Sequence, residues 1–278
     1  MKRSPSITSK LPAVVAIVGL LLVWHLVCAF GVVPEFMLPS PEQVLAALCS
    51  EFPLLLQHAR ITLTEAALGL GAGVAVAFVI ATLMDRFSIL YKALYPLLII
   101  TQTIPSVAIA PLLVLWMGFE MAPKVTLVGI TTFFPITIGL LDGYASADRE
   151  AAQLLRSMGA GRAQIFWHLK LPSALSHFFS GLRVSASYAV VGAVISEWLG
   201  GFEGLGVYMT RVKKAYAFDK MFAVIVFITA VSLLLMLCVT LLRRLAMPMP
   251  MAMMNGTVIG APQTYDYFKQ MQDRILGF

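Results

Sequence analysis

The residues that usually carry chemistry are sparse in this chain and poorly spaced for it. Its four histidines, His25, His58, His168 and His177, show no metal-ligand spacing on one helical face. Neither a G-x-S-x-G elbow nor an H-E-x-x-H pair occurs. The acids suggest no buried pair that could divide acid and base work. Cys28, Cys49 and Cys238 are odd in number and form no C-x-x-C, which speaks against a disulfide framework. No G-x-x-x-x-G-K-[ST] loop is present to cradle nucleotide phosphates. An enzyme is therefore not expected. The ordered constellation that remains runs from Glu150-Ala151-Ala152-Gln153 through Gly159-Ala160 to Leu169-Lys170-Leu171-Pro172. It suits docking: small residues let a short helix lie close on a partner, and a glycine turn fixes its angle.

The chain that must position this segment is built for lipid. Of 278 residues, 59% are hydrophobic and only 12% charged, against about 25% charged in soluble domains. No block of domain size has the charge to make a solvated surface, so a single membrane-embedded domain is expected. The net charge is +6, but the basic residues lie scattered between apolar runs, which favours a topological role over a nucleic-acid patch. A bilayer core about 30 Å thick takes about 20 helical residues to cross. Six stretches qualify: Leu11–Phe30, Ile61–Met84, Ala93–Met117, Lys124–Leu141, Gly181–Leu199 and Phe222–Leu242. The first is too long for a signal peptide and has no A-x-A site, so it reads as a retained helix. Val27 before Cys28 is too large for a lipoprotein cleavage site.

Orientation follows from lysine and arginine. With the N-terminus inside, the inner segments carry Lys2, Arg3, Lys10, Arg86, Lys92, Arg149, Arg156, Arg162, Lys170, Arg183, Arg243, Arg244, Lys269 and Arg274. Arg60, Lys124, Arg211, Lys213, Lys214 and Lys220 fall outside. Both termini are thus expected in the cytoplasm of a multi-pass inner-membrane protein. Ser40-Pro41-Glu42-Gln43 predicts a helix start, and Val44, Leu45, Leu48 and Phe52 predict a short interfacial helix outside. On the inner side, residues 142–180 read as two short amphipathic helices around Gly159-Ala160-Gly161, the second ended by Pro172. Residues 1–10 form a cytoplasmic N-terminus, 11–245 the transmembrane domain, and the Met/Pro-rich 246–278 a mobile tail.

The segment from Glu150 to Pro172 resembles the cytoplasmic "EAA" loop of ATP-binding-cassette (ABC) importer permeases: Glu-Ala-Ala, three residues, Gly, nine residues, Ile-x-Leu-Pro. From Gly159 onward the spacing matches, with Leu169 in place of Ile. The family spacing puts the acid at Gln153, whereas Glu150 lies three residues earlier, nearly one helical turn. Either residue could make the acidic contact. Gln102-Thr-Ile-Pro105-Ser-Val-Ala-Ile-Ala-Pro111, Phe36-Met-Leu-Pro39-Ser-Pro41 and Gly204-Leu-Gly206 are similar to the nitrate/sulfonate/taurine branch. Glu197-Trp-Leu-Gly-Gly201 and Gly204-Leu-Gly-Val-Tyr-Met209 look like permeases for thiamine-precursor pyrimidines.

The resemblance implies an all-α, six-helix type I ABC importer permease, paired with a second copy as a homodimer. Glu150, Ala151, Ala152, Gln153, Gly159, Ala160, Leu169, Leu171 and Pro172 would form the coupling surface for separate ATPase subunits. Those partners would hold ATP and Mg, leaving this chain without a cofactor. An extracytoplasmic solute-binding protein would deliver the cargo. Polar residues within the membrane, Gln102, Ser187, Tyr188 and Glu197, with the helix-distorting Pro105, are pathway candidates. Each also has a plain reading, as a kink, a helix–helix bond or a solvated helix end. Glu65 and Asp85 read as interfacial. From other classes, a proton-driven secondary transporter would want a buried carboxylate relay, and an intramembrane enzyme a clustered nucleophile or metal set.

Overall fold

The computed structural model describes residues 11–247, and all elements among them are helical. The helix α1, Leu11–Ala29, leads to a turn and then to α2, Pro41–Arg86. Ser40 caps α2: its Oγ accepts from the Gln43 N–H at 3.3 Å while Gln43 Oε1 accepts from the Ser40 N–H at 2.8 Å. Pro41 at the first helical position reinforces this start. The short outer helix expected before a second span is therefore absent as a separate element. It is the first part of one 46-residue helix, about 69 Å long and well beyond the bilayer thickness. Pro53 withholds one ladder bond, but the helix runs on through it, with the ring on an exposed face.

The third span, expected as one helix over Ala93–Met117, is corrected to two. Helices α3, Ser88–Thr103, and α4, Ser106–Met117, meet at 97°. The cause is local: the residue before a proline is pushed out of the α region, and Ile104 and Pro105 are both extended, at φ −81°, ψ 119° and φ −60°, ψ 125°. Pro111 distorts nothing comparable and lies inside α4. Helix α5 spans Met121–Ala145, as expected for the fourth crossing.

After α5 come the short helices α6, Arg149–Ser157, and α7, Arg162–Ile165. Pro172 does not end the second of these, contrary to expectation. The chain widens into a π turn over Phe166–Lys170 and continues directly as α8, Leu171–Leu199. In that turn the Leu171 N–H reaches back to the Phe166 carbonyl, which opens the space a proline ring would otherwise clash with. The fifth crossing is thus the C-terminal part of a longer rod. A short helix α9, Leu205–Lys214, and a last crossing α10, Phe218–Ala246, complete the fold.

By length and composition four helices among the described residues can cross a membrane, or five if α3 and α4 together make one broken span. The expected count of six is not matched. The expected N-terminal segment 1–10 lies outside the described residues, as do 248–278 of the expected tail.

The core is the tight pairing of α5 with α8. A Cβ on Gly143 would lie 2.5 Å from the Ala174 Cα and 2.7 Å from its Cβ, so the two backbones nearly touch there. Around this seam pack Ala77, Ala81, Met84, Ile136, Leu140 and Tyr144. Gly143→Val should therefore cost about 1–3 kcal/mol by overpacking, read as a lower melting temperature of the detergent-solubilised protein.

Candidate functional site

Two polar constructions stand at opposite ends of α8, which rises about 43 Å over its 29 residues. The one at its N-terminal end, expected on the inner side, is the α6–α7 hairpin. Asp148 caps α6 by accepting from the Glu150 N–H at 2.9 Å. The helix is strongly two-faced: Ala151 and Leu155 are buried against Ile165 and Leu169, forming a small core private to the hairpin. Its other face exposes Glu150, Gln153, Leu154 and Ser157, the i, i+3, i+4, i+7 stripe of a helix with one free side. Glu150 and Gln153 therefore share that free face.

The turn out of α6 is a Schellman motif. The Ala160 N–H donates to the Leu155 carbonyl at 2.9 Å and the Gly159 N–H to the Arg156 carbonyl at 3.0 Å. Gly159 has φ +85°, a conformation that costs an L-residue about 1–2 kcal/mol. Gln164 then reaches back to accept from the Gly161 N–H at 2.7 Å and starts the second arm. Ala152 and Ala160 are half-buried beside this small core, and Leu171 and Pro172 are half-buried where the second arm becomes α8.

One member of this site and one contact behind it were missed in the sequence. Leu154 is 48% exposed beside Glu150 and Gln153, a large apolar side chain presented on the free face. Its position i+4 from Glu150 was the available signal. Behind the site, and not on its free face, lies Asp85 near the C-terminal end of α2. Read as interfacial from sequence, it instead receives two hydrogen bonds from Lys170 Nζ, at 2.6 and 2.8 Å. Nothing in a single sequence joins residues so far apart.

The outer construction is a buried polar cluster, and it overturns the expectation that the acids form no buried pair. Glu65, Lys124 and Glu197 are 1%, 5% and 2% exposed. Lys124 Nζ donates to Glu65 Oε1 at 2.8 Å. Glu65 Oε2 is buried without a hydrogen-bond partner among the described residues. Glu197 Oε1 accepts from the Thr62 hydroxyl at 2.7 Å and Oε2 from the Gly206 N–H at 2.6 Å. Thr62 in turn accepts from the Leu205 N–H at 2.9 Å, and His58 Nδ1 from the Gly204 N–H at 3.1 Å. The first N–H groups of α9 are thus satisfied by side chains of α2 and α8, the requirement of any buried helix start. Gly204, at φ +126°, brings its backbone so close that a Cβ would overlap the Glu197 carboxylate.

Glu197 is accordingly neither solvated nor aimed at open space. It fastens α9 to the bundle. Close by, burial, together with the Glu51 carboxylate, pushes the Tyr208 phenol up to about 12, so α9 contributes a neutral, buried anchor.

The remaining candidates separate. Gln102 and Pro105 are both exposed at the α3–α4 elbow. Tyr188 is half-exposed on a stripe of α8 that includes Val184, Val191 and Trp198. Ser187 faces the bundle, with its Oγ 3.0 Å from Met236 Sδ on α10. The structure does not bring these residues together with Glu197.

Comparison with known proteins places this geometry. Residues 69–248 match the model of the family "Binding-protein-dependent transport system inner membrane component". A probable ABC transporter permease protein of Haemophilus influenzae is 37% identical over 220 residues, covering 79% of this chain and 90% of that one. The formylaminopyrimidine transport permease protein ThiX of Halalkalibacterium halodurans is 34% identical over 230 residues, 82% of this chain and 92% of that one. Among solved structures, an inward-facing MetNI methionine ABC transporter superposes with a TM-score of 0.63 at 16% identity, covering 71% of this chain and 98% of that chain. With the two-faced hairpin at one end of α8 and the fastened outer helix at the other, the chain belongs to this inner-membrane component family, the transport subunits that serve as permeases of ABC importers.

Proposed function

We propose that this chain forms the translocation pathway of an importer for a thiamine-precursor pyrimidine, as a homodimer driven by two separate ATPase subunits. The observation that carries the driven part is the free face of α6, where Glu150, Gln153 and Leu154 stand exposed beside a buried hairpin core. ATP and Mg belong to the partner, which docks on Glu150, Gln153 and the Gly159–Ala160 turn, with half-buried Ala152 at the edge and buried Ala151 supporting that face from behind. Leu169, Leu171 and Pro172 join that surface to α8, so ATP-driven closure of the ATPases becomes rigid-body movement of the helices.

Both termini lie in the cytoplasm, and the fastened α9 faces the binding protein outside. A mid-helix hydroxyl on an exposed face favours a pathway lining over lipid. On that ground Tyr188 and its stripe meet the second copy around the pathway, with Gln102 and Pro105 at its elbow.

The cargo reading rests on the Glu197–Gly201 and Gly204–Met209 segments and on similarity to the formylaminopyrimidine permease. It is tested by uptake of radiolabelled formylaminopyrimidine in cells with and without the chain. Loss of uptake on deletion, with taurine and nitrate uptake unchanged, is the expected result. Unchanged pyrimidine uptake with loss of taurine or nitrate uptake would move the chain to one of those cargoes, for which curated relatives at 29% and 25% identity are permeases.

The docking face is tested separately. Leu154→Asp places a charge in the centre of the proposed interface, and a buried unpaired charge there costs several kcal/mol. ATPase co-purifying with the chain should fall at least about tenfold, the factor that 1.4 kcal/mol already gives.

A further inference from the structure

The two polar constructions share one element. Helix α2 carries His58, Thr62 and Glu65 of the outer cluster and Asp85 at its inner end. From Leu55 to Arg86 it is unbroken helix with no internal proline, about 46 Å of rigid rod. Its inner end is held to the second arm of the hairpin by Asp85 and Lys170, through both carboxylate oxygens. Lys170 lies inside the π turn, where the hairpin becomes α8. Close by, the Tyr144 ring packs on Phe166 of the same turn with centroids 5.3 Å apart, and its hydroxyl lies 3.4 Å from Thr82 Oγ1 on α2. The pair itself is partly shielded, with side-chain exposures of 31% and 21%. A bidentate, partly buried bond of this kind holds two elements in register better than an exposed surface pair.

We propose that Asp85 and Lys170 are positioning residues that make α2 a connecting rod. Force delivered to the coupling hairpin passes through this joint to α2 and along it to the cluster that fastens α9. The joint lies outside the docking face, so it governs transmission and not ATPase binding. This inference rests on the hairpin being the ATPase contact.

The test uses the full chain purified from its native membranes with whatever subunits accompany it. Gln57, exposed on the outer half of α2, is replaced by cysteine after Cys28, Cys49 and Cys238 are changed to serine. The rate of labelling by a membrane-impermeant maleimide is then compared with and without ATP trapped by vanadate. In the otherwise unaltered chain, trapping should change the rate at least about threefold. Asp85→Asn should retain ATPase co-purification and basal ATP hydrolysis but abolish that change. The swap Asp85→Lys with Lys170→Asp should restore it to within about twofold, which a merely structural loss would not allow.

An ATP-dependent change that persists in Asp85→Asn overturns the proposal, as does no change in the parent when an ATPase is bound. Should the swapped chain not reach the membrane, Lys170→Met gives the same decision as Asp85→Asn. Absence of any ATPase from the parent preparation would instead sink the reading of the hairpin, a failure distinguishable from that of the rod.

Discussion

Gly159→Val should abolish ATP-driven uptake, by about a hundredfold or more, while the chain still inserts and melts close to the parent temperature. Gly159 closes the Schellman motif at φ +85°, and a β-branched residue is an outlier there. Space is not the obstacle, because nothing lies within 4 Å of a Cβ at this position. The backbone is. Valine would pull residue 159 toward negative φ and break the bonds from Gly159 and Ala160 that fix the turn. The free face of α6 would then point in a new direction relative to α8.

The hairpin core is small, with Ala151, Leu155, Ile165 and Leu169 buried and only Ala147, Ala152 and Ala160 packed against them, so the bundle loses little when it rearranges. Gly159→Asn tests the cause, since asparagine visits the left-handed region more readily than other side chains. It should lose only a few-fold. Uptake into membrane vesicles, with melting of the purified protein as control, separates geometry from stability.

Glu197→Ala has the largest expected effect on stability, about 3–5 kcal/mol. Both carboxylate oxygens are used, by the Thr62 hydroxyl and the Gly206 N–H. Removing one partner of a buried hydrogen bond costs about 1–3 kcal/mol, and two are lost here along with side-chain volume. The energy is concentrated at the start of α9, so local release precedes global unfolding.

Trypsin added outside sealed spheroplasts should cut after Arg211, Lys213 or Lys214 in the variant and spare the parent. Glu197→Gln keeps the shape but replaces one acceptor oxygen with a donor. It should lie between the two.

Sequence patterning revealed the apolar stretches and the two-faced hairpin because both depend on local periodicity. Leu154 and Leu155 lie about 100° apart on α6, and only the packed hairpin shows that the first is exposed and the second buried. Pro105 was legible as a disturbance because its effect on Ile104 is local. Its size, a 97° bend, was not, since neighbouring helices decide whether a proline kinks or breaks a helix. Pro172 erred in the other direction, because a π turn absorbed it.

The outer cluster was not legible at all. Glu65 read alone as an interfacial charge, Lys124 as a charge of an outer segment and Glu197 as a pathway candidate or a solvated helix end. Only the packing of α2, α5 and α8 pairs Lys124 with Glu65 and buries Glu197 against Thr62 and Gly206. The same holds for Asp85 and Lys170, whose pairing depends on how the inner ends of α2 and α8 meet.

The central claim is that the α6 free face couples this permease to a separate ATPase. Affinity purification of the tagged chain from its native membranes, followed by measurement of ATP hydrolysis in the eluate, tests it most directly. Coupling through this face requires an ATPase in the eluate of the parent chain, and its loss, with hydrolysis, from Leu154→Asp recovered at the same membrane level. An eluate of the parent without ATPase, or one in which Leu154→Asp retains the parent's ATPase and hydrolysis, would contradict it.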